Sequence, residues 1–430
     1  MPDLHLRHAT VVTVSDRGTL LDATLVASDA RIVYIGPTLG APAARPGDEV
    51  IEADGLVAIP GLINAHTHLG MTLFRGVADD LPLKTWLEEK IWPVEAHLTP
   101  DDVYWASLLG IAEMIRAGVT TFSDMYWHVE AVANAVRESG IRACLSGVVI
   151  GVVPNAERLL ETAIVRVRTL REEGHPRLTP FFGPHAPYTV PTPMLQRLAE
   201  EAAELGVCIH THLSETREEV AECRREYGTT PIARMQQIGL FSVPVIAAHC
   251  VHPTRAEIEI LAAHNVAVAH CPTSNMKLAS GIAPIDDYLE AGVTVALGTD
   301  GAGSNNSLDI LREMHEAALL AKVNGDPTAV SAPEALSMAT CHGAEALRLP
   351  DIGTLEVGKL ADICLLDFTP PHLTPSQGRE VSHLVYAAKG SDVHTTIVHG
   401  QVLMHNRVLR TLDEAHIRAK VVETATRLWG

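Results

Sequence analysis

Short apolar runs alternate with amphipathic segments over most of the chain, starting near residue 59. Apolar runs of about four to eight residues predict buried strands, and apolar positions three or four residues apart predict helices. A regular alternation of the two is typical of repeated βα units around a parallel sheet. The pattern predicts eight such strands, at residues 57–62, 119–124, 143–149, 178–184, 207–212, 245–249, 266–270 and 293–299.

The two ends of the chain have a different pattern, in which β-branched and polar residues alternate at 4–57 and again at 353–367 and 393–405. Because eight βα units close most simply into a barrel, we predict an α/β fold. This fold is a (β/α)8 TIM barrel with a small β-sandwich domain built from both termini. The predicted limits are 1–57 for the N-terminal part of the sandwich, 58–352 for the barrel, and 353–430 for the C-terminal part with a terminal helix.

Composition and charge narrow the class of protein. The 430 residues are 47% hydrophobic, which is ample for a large core, and no apolar run is long enough to cross a membrane. A formal net charge of −19 disfavours nucleic acid and anionic membranes as partners. The N-terminus has no basic region followed by an apolar stretch, so we predict a cytoplasmic protein. The 7 cysteines are scattered, which indicates reduced thiols in the core.

The candidate chemistry lies where predicted strands end. His66 and His68 alternate along an extended segment and therefore point the same way. Alone, such a pair is more often two satisfied polar histidines in a turn. However, His212, His249 and Asp300 each end another apolar run, and the carboxyl ends of barrel strands meet at one face. Three imidazoles and a carboxylate there suit a borderline cation such as zinc, with a water completing the site.

Two further groups accompany this set. Glu215 follows His212 by three residues, and His249 ends the sixth predicted strand. Singly, Glu215 would most often be a solvated charge at a helix start, His249 a satisfied core histidine, and the Thr-Asp-Gly at Asp300 a common turn. Their order along separate strand ends makes chance a poor explanation. A bound divalent cation lowers the pKa of its water towards ~7, and Glu215 and His249 would then handle protons around the attacked carbon.

The motifs resemble those of the amidohydrolase superfamily over essentially the whole chain. Within it they are most similar to the branch of 5′-methylthioadenosine/S-adenosylhomocysteine deaminases, which also holds chlorotriazine hydrolases and other base deaminases. The segments that carry the resemblance are PGLINAHTHL at 60–69, GPHAPY at 183–188, HLSET at 212–216, AAHCVH at 247–252, PTSNMKL at 272–278, GIAP at 281–284 and GTDGAGSNN at 298–306.

The resemblance implies one divalent metal ion per chain, which we expect to be zinc. Its ligands by position would be His66, His68, His212 and Asp300. No lysine lies at 178–184, where two-metal relatives carry a modified one, so a mononuclear site is implied.

The same resemblance implies a reaction and three catalytic residues. Glu215 would shuttle a proton to the ring nitrogen beside the attacked carbon. His249 would orient the hydroxide and support the developing charge, while Asp300 would accept its proton. Attack at C6 of adenine and loss of ammonia would give the inosine product.

Substrate contacts follow from the resemblance as well, at Trp86, Glu95, Arg158 and His185. Read singly, Trp86 could be an ordinary buried aromatic, Glu95 a helix-start acid and Arg158 a surface arginine. Some members of the branch carry a second arginine just after the third strand, but residues 143–154 contain none. This departure disfavours S-adenosylhomocysteine as the better substrate.

Three functions therefore stay open. The main prediction is a zinc-dependent deaminase of 5′-methylthioadenosine, S-adenosylhomocysteine or adenosine. The alternatives are an amino- or chloro-hydrolase of another heteroaromatic, such as guanine or a triazine, and a non-catalytic barrel subunit. The expected partners are a small nucleoside substrate and further copies of the chain in a homo-oligomer, with neither nucleic acid nor membrane.

Overall fold

A computed structural model describes residues 3–323 and 325–429 of the chain. Both ends of the chain together build a mixed sheet of nine strands, in the order β17-β16-β15-β14-β5-β1-β2-β3, with β4 beside β1. This sheet is separate from the barrel, as predicted. Its strands are β1 (Leu4–Val12), β2 (Thr19–Ser28), β3 (Arg31–Pro37), β4 (Glu49–Glu52), β5 (Leu56–Pro60), β14 (Ile363–Asp367), β15 (Val393–Val398), β16 (Gln401–His405) and β17 (Val408–Leu409).

Eight parallel strands form the second sheet, in strict chain order from β6 to β13. The last strand returns to the first, since the backbone N–H of Asp300 donates to the carbonyl of His66 at 3.0 Å. The predicted (β/α)8 barrel is thereby confirmed. Its strands are β6 (Leu62–Thr67), β7 (Val119–Asp124), β8 (Arg142–Val149), β9 (Leu178–Pro184), β10 (Ile209–Leu213), β11 (Val245–His249), β12 (Ala267–His270) and β13 (Val295–Leu297).

Helices pack around the barrel, and a helix is the last element of the described chain. Three of them begin with a capping box, at Thr99, Thr254 and Ser331. In each box the side chain of this residue accepts the backbone N–H three residues later, and the acidic side chain there accepts the backbone N–H of the first residue. The helices are α1 (Leu83–Thr85), α2 (Trp92–Glu95), α3 (Pro100–Arg116), α4 (Val129–Ser139), α5 (Ala156–Glu173), α6 (Thr192–Leu205), α7 (Arg217–Tyr227), α8 (Pro231–Gln237), α9 (Arg255–Ala263), α10 (Pro272–Lys277), α11 (Ile285–Glu290), α12 (Ile310–Lys322), α13 (Ala332–Met338), α14 (Cys341–Ala346), α15 (Glu380–Tyr386) and α16 (Glu414–Trp429).

The first predicted strand, 57–62, is wrong as a single element. Its first part is β5 of the mixed sheet, and the barrel begins only at Leu62. The chain changes sheets at Gly61, whose N–H donates to the carbonyl of Asp362, while Leu62 donates to the carbonyl of Gly118. A Cβ on Gly61 would lie 2.1 Å from the Thr120 hydroxyl, so only glycine fits this passage. The domain limits at 57/58 and 352/353 stay a prediction; the change of sheet lies slightly further along.

The inside of the barrel is filled rather than open. Ile63, Phe181 and Ile246 are buried there among small residues from the other strands. All seven cysteines are unpaired thiols, and six of them are buried. Across the described ranges, no helix combines the length and the apolar character that crossing a membrane would require. The packed interior leaves the carboxyl ends of the strands as the face where polar side chains converge.

Candidate active site

The sequence-predicted metal residues all meet at the carboxyl face of the barrel. His66 ends β6 with His68 just beyond it, His212 lies on β10, His249 ends β11, and Asp300 follows β13. Nε2 of His68 lies 3.1 Å from Oδ1 of Asp300 and 3.1 Å from Nε2 of His212. Nε2 of His66 lies 3.4 Å from the same Asp300 oxygen. Residues more than 230 positions apart in the chain thus share one small volume.

Four imidazoles in this cluster use Nδ1 for an outward contact. Nδ1 of His68 donates to the carbonyl of Met125 at 2.6 Å, and that of His212 to the carbonyl of His185 at 2.6 Å. A carbonyl can only accept, so each of these rings carries a proton on Nδ1, and Nε2 is the nitrogen that each directs inward. His249 and His66 make the equivalent Nδ1 contacts with side chains.

The inward nitrogens fit a divalent cation. Nε2 of His66 is fully buried and has no hydrogen-bond partner, a costly state unless another group engages the lone pair. Imidazole nitrogens with one carboxylate are a usual donor set for zinc. An outward acceptor that fixes the tautomer, as Met125 supplies for His68, is the usual arrangement around a metal-binding histidine. A divalent metal is therefore what these residues are arranged to hold.

The cluster contains one donor group more than a four-ligand site needs. The ligand atoms of His66, His212, His249 and Asp300 all lie within 4.8 Å of one another. That set includes His249 and omits His68, whereas the sequence prediction includes His68 and places His249 beside the metal. We favour the predicted set, because Nε2 of His68 is only 3.1 Å from two of its members. Nε2 of His249 also faces Oε2 of Glu215, at 3.9 Å.

Protonation in the cluster reflects burial and the charge of Asp300. Burial lowers the pKa of His66 to about 4. Burial also acts to lower the pKa of His68, but the hydrogen bond and charge of Asp300 outweigh it and raise that pKa to about 9. For Asp300 itself, burial acts to raise the pKa, but the two nearby imidazoles outweigh it and hold that pKa well below the ordinary value. Without a cation the pair therefore retains a proton, which metal binding would have to release.

Asp300 is held by contacts on its other oxygen. The hydroxyls of Ser274 and Ser304 donate to Oδ2 at 2.6 and 2.8 Å, which leaves Oδ1 directed at the histidines. The backbone of Asp300 is left-handed (φ 60°), as is that of His249 (φ 71°). Such a conformation costs a non-glycine residue on the order of 1–3 kcal/mol and often occurs at functional sites.

A glycine allows the last strand to approach the first. A Cβ on Gly298 would lie 2.8 Å from Cβ of His66 and 3.0 Å from its backbone nitrogen. Any side chain there would push apart the two segments that carry His66 and Asp300. The Gly-Thr-Asp motif is thus explained by the close approach of these segments.

Glu215 lies beside the cluster without entering it. Its side chain is buried, and desolvation raises its pKa above the ordinary value. The turn that carries it is fixed by Glu219, whose carboxylate accepts the backbone N–H groups of Ser214 and Glu215 at 2.9 and 2.7 Å. Ser280 donates weakly to Oε1 at 3.4 Å. A raised pKa makes a buried carboxyl a better proton donor and acceptor for a bound substrate than an exposed carboxyl with an ordinary pKa.

Three of the four predicted substrate contacts line the cleft above the cluster. Trp86, which is only 5% exposed, Glu95 and His185 form part of its wall. The hydroxyl of Tyr126 donates to Oε1 of Glu95 at 2.6 Å, and burial raises the pKa of that carboxyl. Arg158 is different, since it is exposed in the first turn of α5 and is not among the described residues that line the cleft.

The wall near Glu95 is largely apolar and opens into a second, larger cleft. Leu83, Leu87 and Ile150 line the first cleft, and Ile150 is shared with the second. Arg166, two turns beyond Arg158 on α5, lines the second cleft, with Nη1 3.7 Å from a carboxylate oxygen of Glu130.

Several residues near the cluster carry no role in the sequence prediction. Ser274 and Asn275 lie within the motif at 272–278, and Ser304 within that at 298–306, but the residue types alone do not show their contacts. Asn275 accepts from Nδ1 of His249 at 2.9 Å. His210, which alternates with His212 on β10, has its Nε2 2.9 Å from Nδ1 of His66. The strand alternation was the signal that could have identified His210.

Comparison with known proteins gives concordant matches. The model of the Amidohydrolase family matches residues 57–403. A 5-methylthioadenosine/S-adenosylhomocysteine deaminase of Moorella thermoacetica is 51% identical over 426 residues, which cover 98% of this chain and 99% of that protein. A protein of the same name from Pelotomaculum thermopropionicum is 49% identical over 431 residues, covering 100% and 99%.

Solved structures agree with this. The crystal structure of an adenosine deaminase from Xanthomonas campestris with bound zinc superposes with a TM-score of 0.94 at 36% identity, covering 99% of this chain and 98% of that one. Atrazine chlorohydrolase from Arthrobacter aurescens complexed with zinc gives a TM-score of 0.90 at 26% identity, covering 98% and 100%.

Proposed function

This chain belongs to the amidohydrolase family, and from that membership and its cleft we propose that it is a metal-dependent hydrolytic deaminase of 5′-substituted adenosines. It converts 5′-methylthioadenosine, S-adenosylhomocysteine or adenosine to the inosine product and ammonia. One observation carries the proposal: imidazole nitrogens and an Asp300 oxygen converge below a cleft whose lining includes the buried carboxyl of Glu215. The family and the deaminase names of the relatives favour an enzyme over a non-catalytic subunit.

The metal we propose is one zinc ion per chain, held by His66, His68, His212 and Asp300. The donor chemistry supports it, and so does the zinc in the Xanthomonas campestris structure. When bound, such a cation lowers the pKa of a water towards ~7 and so supplies a nucleophile at neutral pH.

The chain's own residues then move the protons. Asp300, whose carboxyl is ionised, accepts a proton from the attacking water. Glu215 delivers a proton to the ring nitrogen beside the attacked carbon, and burial, which raises its pKa, favours the protonated form that this step needs. Nε2 of His249 faces Glu215 across 3.9 Å, so this ring is placed to orient the attacking oxygen. After the C–O bond forms at C6, the proton held by Asp300 passes to the amino group, and C–N cleavage releases ammonia. The remaining hydroxyl proton returns to Glu215 as the C6 carbonyl forms.

Binding of the nucleoside is assigned to the cleft wall. Glu95 is half-buried, and Tyr126 occupies only one of its oxygens, so it can accept from the two ribose hydroxyls. Trp86 offers an aromatic surface to the base, and His185 a ring nitrogen at the cleft. A carboxylate placed for hydroxyl groups supports a nucleoside over a chlorotriazine or guanine, neither of which carries a ribose. Arg158 remains a predicted contact that would have to act from the exposed start of α5.

Elemental analysis and a substrate panel test the proposal. We expect about one zinc per chain and ammonia release from 5′-methylthioadenosine, S-adenosylhomocysteine and adenosine. About two metals per chain would contradict the mononuclear site, and chloride release from a chlorotriazine without ammonia release from adenosines would contradict the substrate class. A homo-oligomeric state and a cytoplasmic location stay predictions, which light scattering and cell fractionation would check.

A further inference from the structure

A second, buried histidine lies directly behind His66. Nε2 of His210 is 2.9 Å from Nδ1 of His66, and Nδ1 of His210 is 3.1 Å from the hydroxyl oxygen of Ser123 on β7. All three side chains are 0% exposed. His210 is not among the described residues that line the cleft, and it contacts Nδ1 of His66, the ring nitrogen that does not face Asp300. The deaminase reaction proposed above gives it no part.

His66, His210 and Ser123 form a row of hydrogen-bonded side chains. The direction of the hydrogen bonds in this row depends on which nitrogen of His66 carries the proton. A neutral imidazole has one N–H and one lone pair. If Nε2 of His66 binds a metal, its proton must be on Nδ1, and Nε2 of His210 must accept it. His210 then carries its own proton on Nδ1 and donates it to Ser123.

The opposite direction is also compatible with the distances. Ser123 would donate to Nδ1 of His210, whose Nε2–H would donate to Nδ1 of His66. His66 would then carry its proton on Nε2, facing Oδ1 of Asp300 at 3.4 Å, and would have no lone pair for a metal. The row therefore has two states, and only one of them makes His66 a ligand.

Full burial restricts the row to neutral forms. Charging His210 would place a cation without solvent beside His66, and a doubly protonated ring could not accept from His66 at all. The other three imidazoles of the cluster direct Nδ1 at a carbonyl or amide oxygen. Unlike the backbone carbonyls that face His68 and His212, the imidazole that faces Nδ1 of His66 can either donate or accept.

We propose that His210, oriented by Ser123, is a positioning residue that selects the tautomer of His66 required for metal binding. The inference rests on the proposed metal site. It predicts that what matters at position 210 is a hydrogen-bond acceptor where Nε2 now lies, and neither ring size nor polarity in general.

Two amide substitutions separate these possibilities. The side-chain amide of glutamine reaches the position of histidine Nε2, whereas that of asparagine reaches only the position of Nδ1. His210→Gln thus keeps an acceptor for His66, while His210→Asn keeps only a partner for Ser123. Both variants replace the imidazole with one buried amide. If residue 210 had only a structural role, one variant would not be expected to keep zinc affinity while the other loses it.

The measurement is zinc affinity of chelator-stripped full-length protein, by competition with a chromophoric chelator. We expect His210→Asn to bind zinc about 10- to 100-fold more weakly than the wild type, the usual scale for an outer-shell partner. His210→Gln should stay within about threefold. Ser123→Ala should weaken binding by a smaller factor, and Ser146→Ala is its matched control, since Ser146 is also buried but has no hydrogen-bond partner.

The outcomes are distinct. If His210→Asn binds zinc as tightly as the wild type, or if His210→Gln loses as much affinity as His210→Asn, the positioning role is wrong. If the wild type itself takes up no metal, the proposed function fails instead. Thermal unfolding of the metal-free variants shows whether each remains folded, so a lower affinity is compared only among folded proteins.

Discussion

At the carboxyl ends of the barrel strands His66 keeps a buried nitrogen without a partner, whereas at the amino end of β8 Arg142 is fully paired. The guanidinium of Arg142 donates to both oxygens of Asp362 at 3.1 and 3.2 Å and to the carbonyl of Pro176 at 2.9 Å. Its side chain is 4% exposed and that of Asp362 is 1% exposed. Asp362 precedes β14, so this pair joins the barrel to the mixed sheet.

This difference indicates that the amino end of the barrel contributes to stability and the carboxyl end to chemistry. At the amino end a buried charge is compensated within the protein, and the contact contributes to holding two sheets together. At the carboxyl end lone pairs are left uncompensated, and two residues, His249 and Asp300, adopt a left-handed backbone. Unpaired lone pairs and a left-handed backbone both lower the stability of the folded protein, and a bound cation would offset the first of these costs. Changes at the carboxyl end should therefore affect chemistry, and changes at the amino end stability.

The largest effect is expected for Asp300→Asn. The variant loses the charge of a proposed ligand and the proposed proton acceptor together, so kcat/KM should fall by on the order of 10³-fold or more. Ammonia release and metal content should be measured on the same preparation. Ser304→Ala removes only a donor to Oδ2 and is the milder control, with a loss of about tenfold. An Asp300→Asn enzyme within tenfold of the wild type would contradict the assigned role.

The next effect belongs to the other end of the barrel. Among the described residues, Arg142→Met leaves the buried Asp362 carboxylate with the backbone N–H of His399 as its one donor, at 2.8 Å. We expect the free energy of unfolding to fall by about 3 kcal/mol, the usual scale for removing one partner of a buried pair. Denaturant titration measures this. The kcat/KM of the folded enzyme and its metal content should stay close to those of the wild type.

A double variant sharpens this test. In Arg142→Met/Asp362→Leu neither charge remains, so the loss of stability should be smaller than for Arg142→Met alone. If Arg142→Met instead lowers kcat/KM as strongly as it lowers stability, the two ends of the barrel are coupled and the contrast drawn here does not hold.

The third effect is again catalytic. Glu215→Gln keeps a side chain of the same shape beside His249 but cannot exchange a proton, so turnover should fall roughly 10²-fold. Metal content should stay at the wild-type level, because Glu215 is not a proposed ligand. Turnover within a factor of about three of the wild type would show that another group carries the proton.

The sequence predicts the parts of the molecule that depend on local pattern. The βα alternation gave the barrel, with β7, β9 and β11 at their predicted limits. Alternation along a strand brought His66 and His68 together, and the order of strand ends brought His212 and Asp300 to them. What failed was the strand at 57–62, because the change of sheet at Gly61 depends on a contact with Thr120 that lies about 60 residues away.

Contacts between distant side chains could not be predicted in the same way. The two serines on Asp300 come from α10 and from the segment after β13, and no spacing within either motif indicates that they share one oxygen. The row formed by His66, His210 and Ser123 could not be predicted without knowing the lateral register of the strands that carry them, β6, β10 and β7. For Arg158, the resemblance predicted a substrate contact, but position in the sequence did not indicate that this side chain is exposed and outside the cleft lining.

The smallest effect concerns substrate choice. Residues 143–156 contain no lysine or arginine, and the cleft wall contributed by this stretch consists of Val148 and Ile150. Arg166, in the adjoining cleft, already faces Glu130. An apolar methylthio group needs only such a wall, whereas the carboxylate of homocysteine needs a free cation.

We therefore expect 5′-methylthioadenosine to have a higher kcat/KM than S-adenosylhomocysteine, by a modest factor, and free adenine to be a poor substrate. Without ribose hydroxyls, the second oxygen of the half-buried Glu95 would lose its acceptor role in the cleft, at a penalty of roughly 1–3 kcal/mol. Competition between the two thioethers measures the first difference, and Glu95→Gln should narrow the gap between adenosine and adenine. A kcat/KM for S-adenosylhomocysteine about tenfold above that for 5′-methylthioadenosine would mean that a cation does reach the carboxylate. Arg166→Gln would then show whether that cation is Arg166, and an unchanged preference in this variant would direct attention to Arg158 or to a neighbouring copy of the chain.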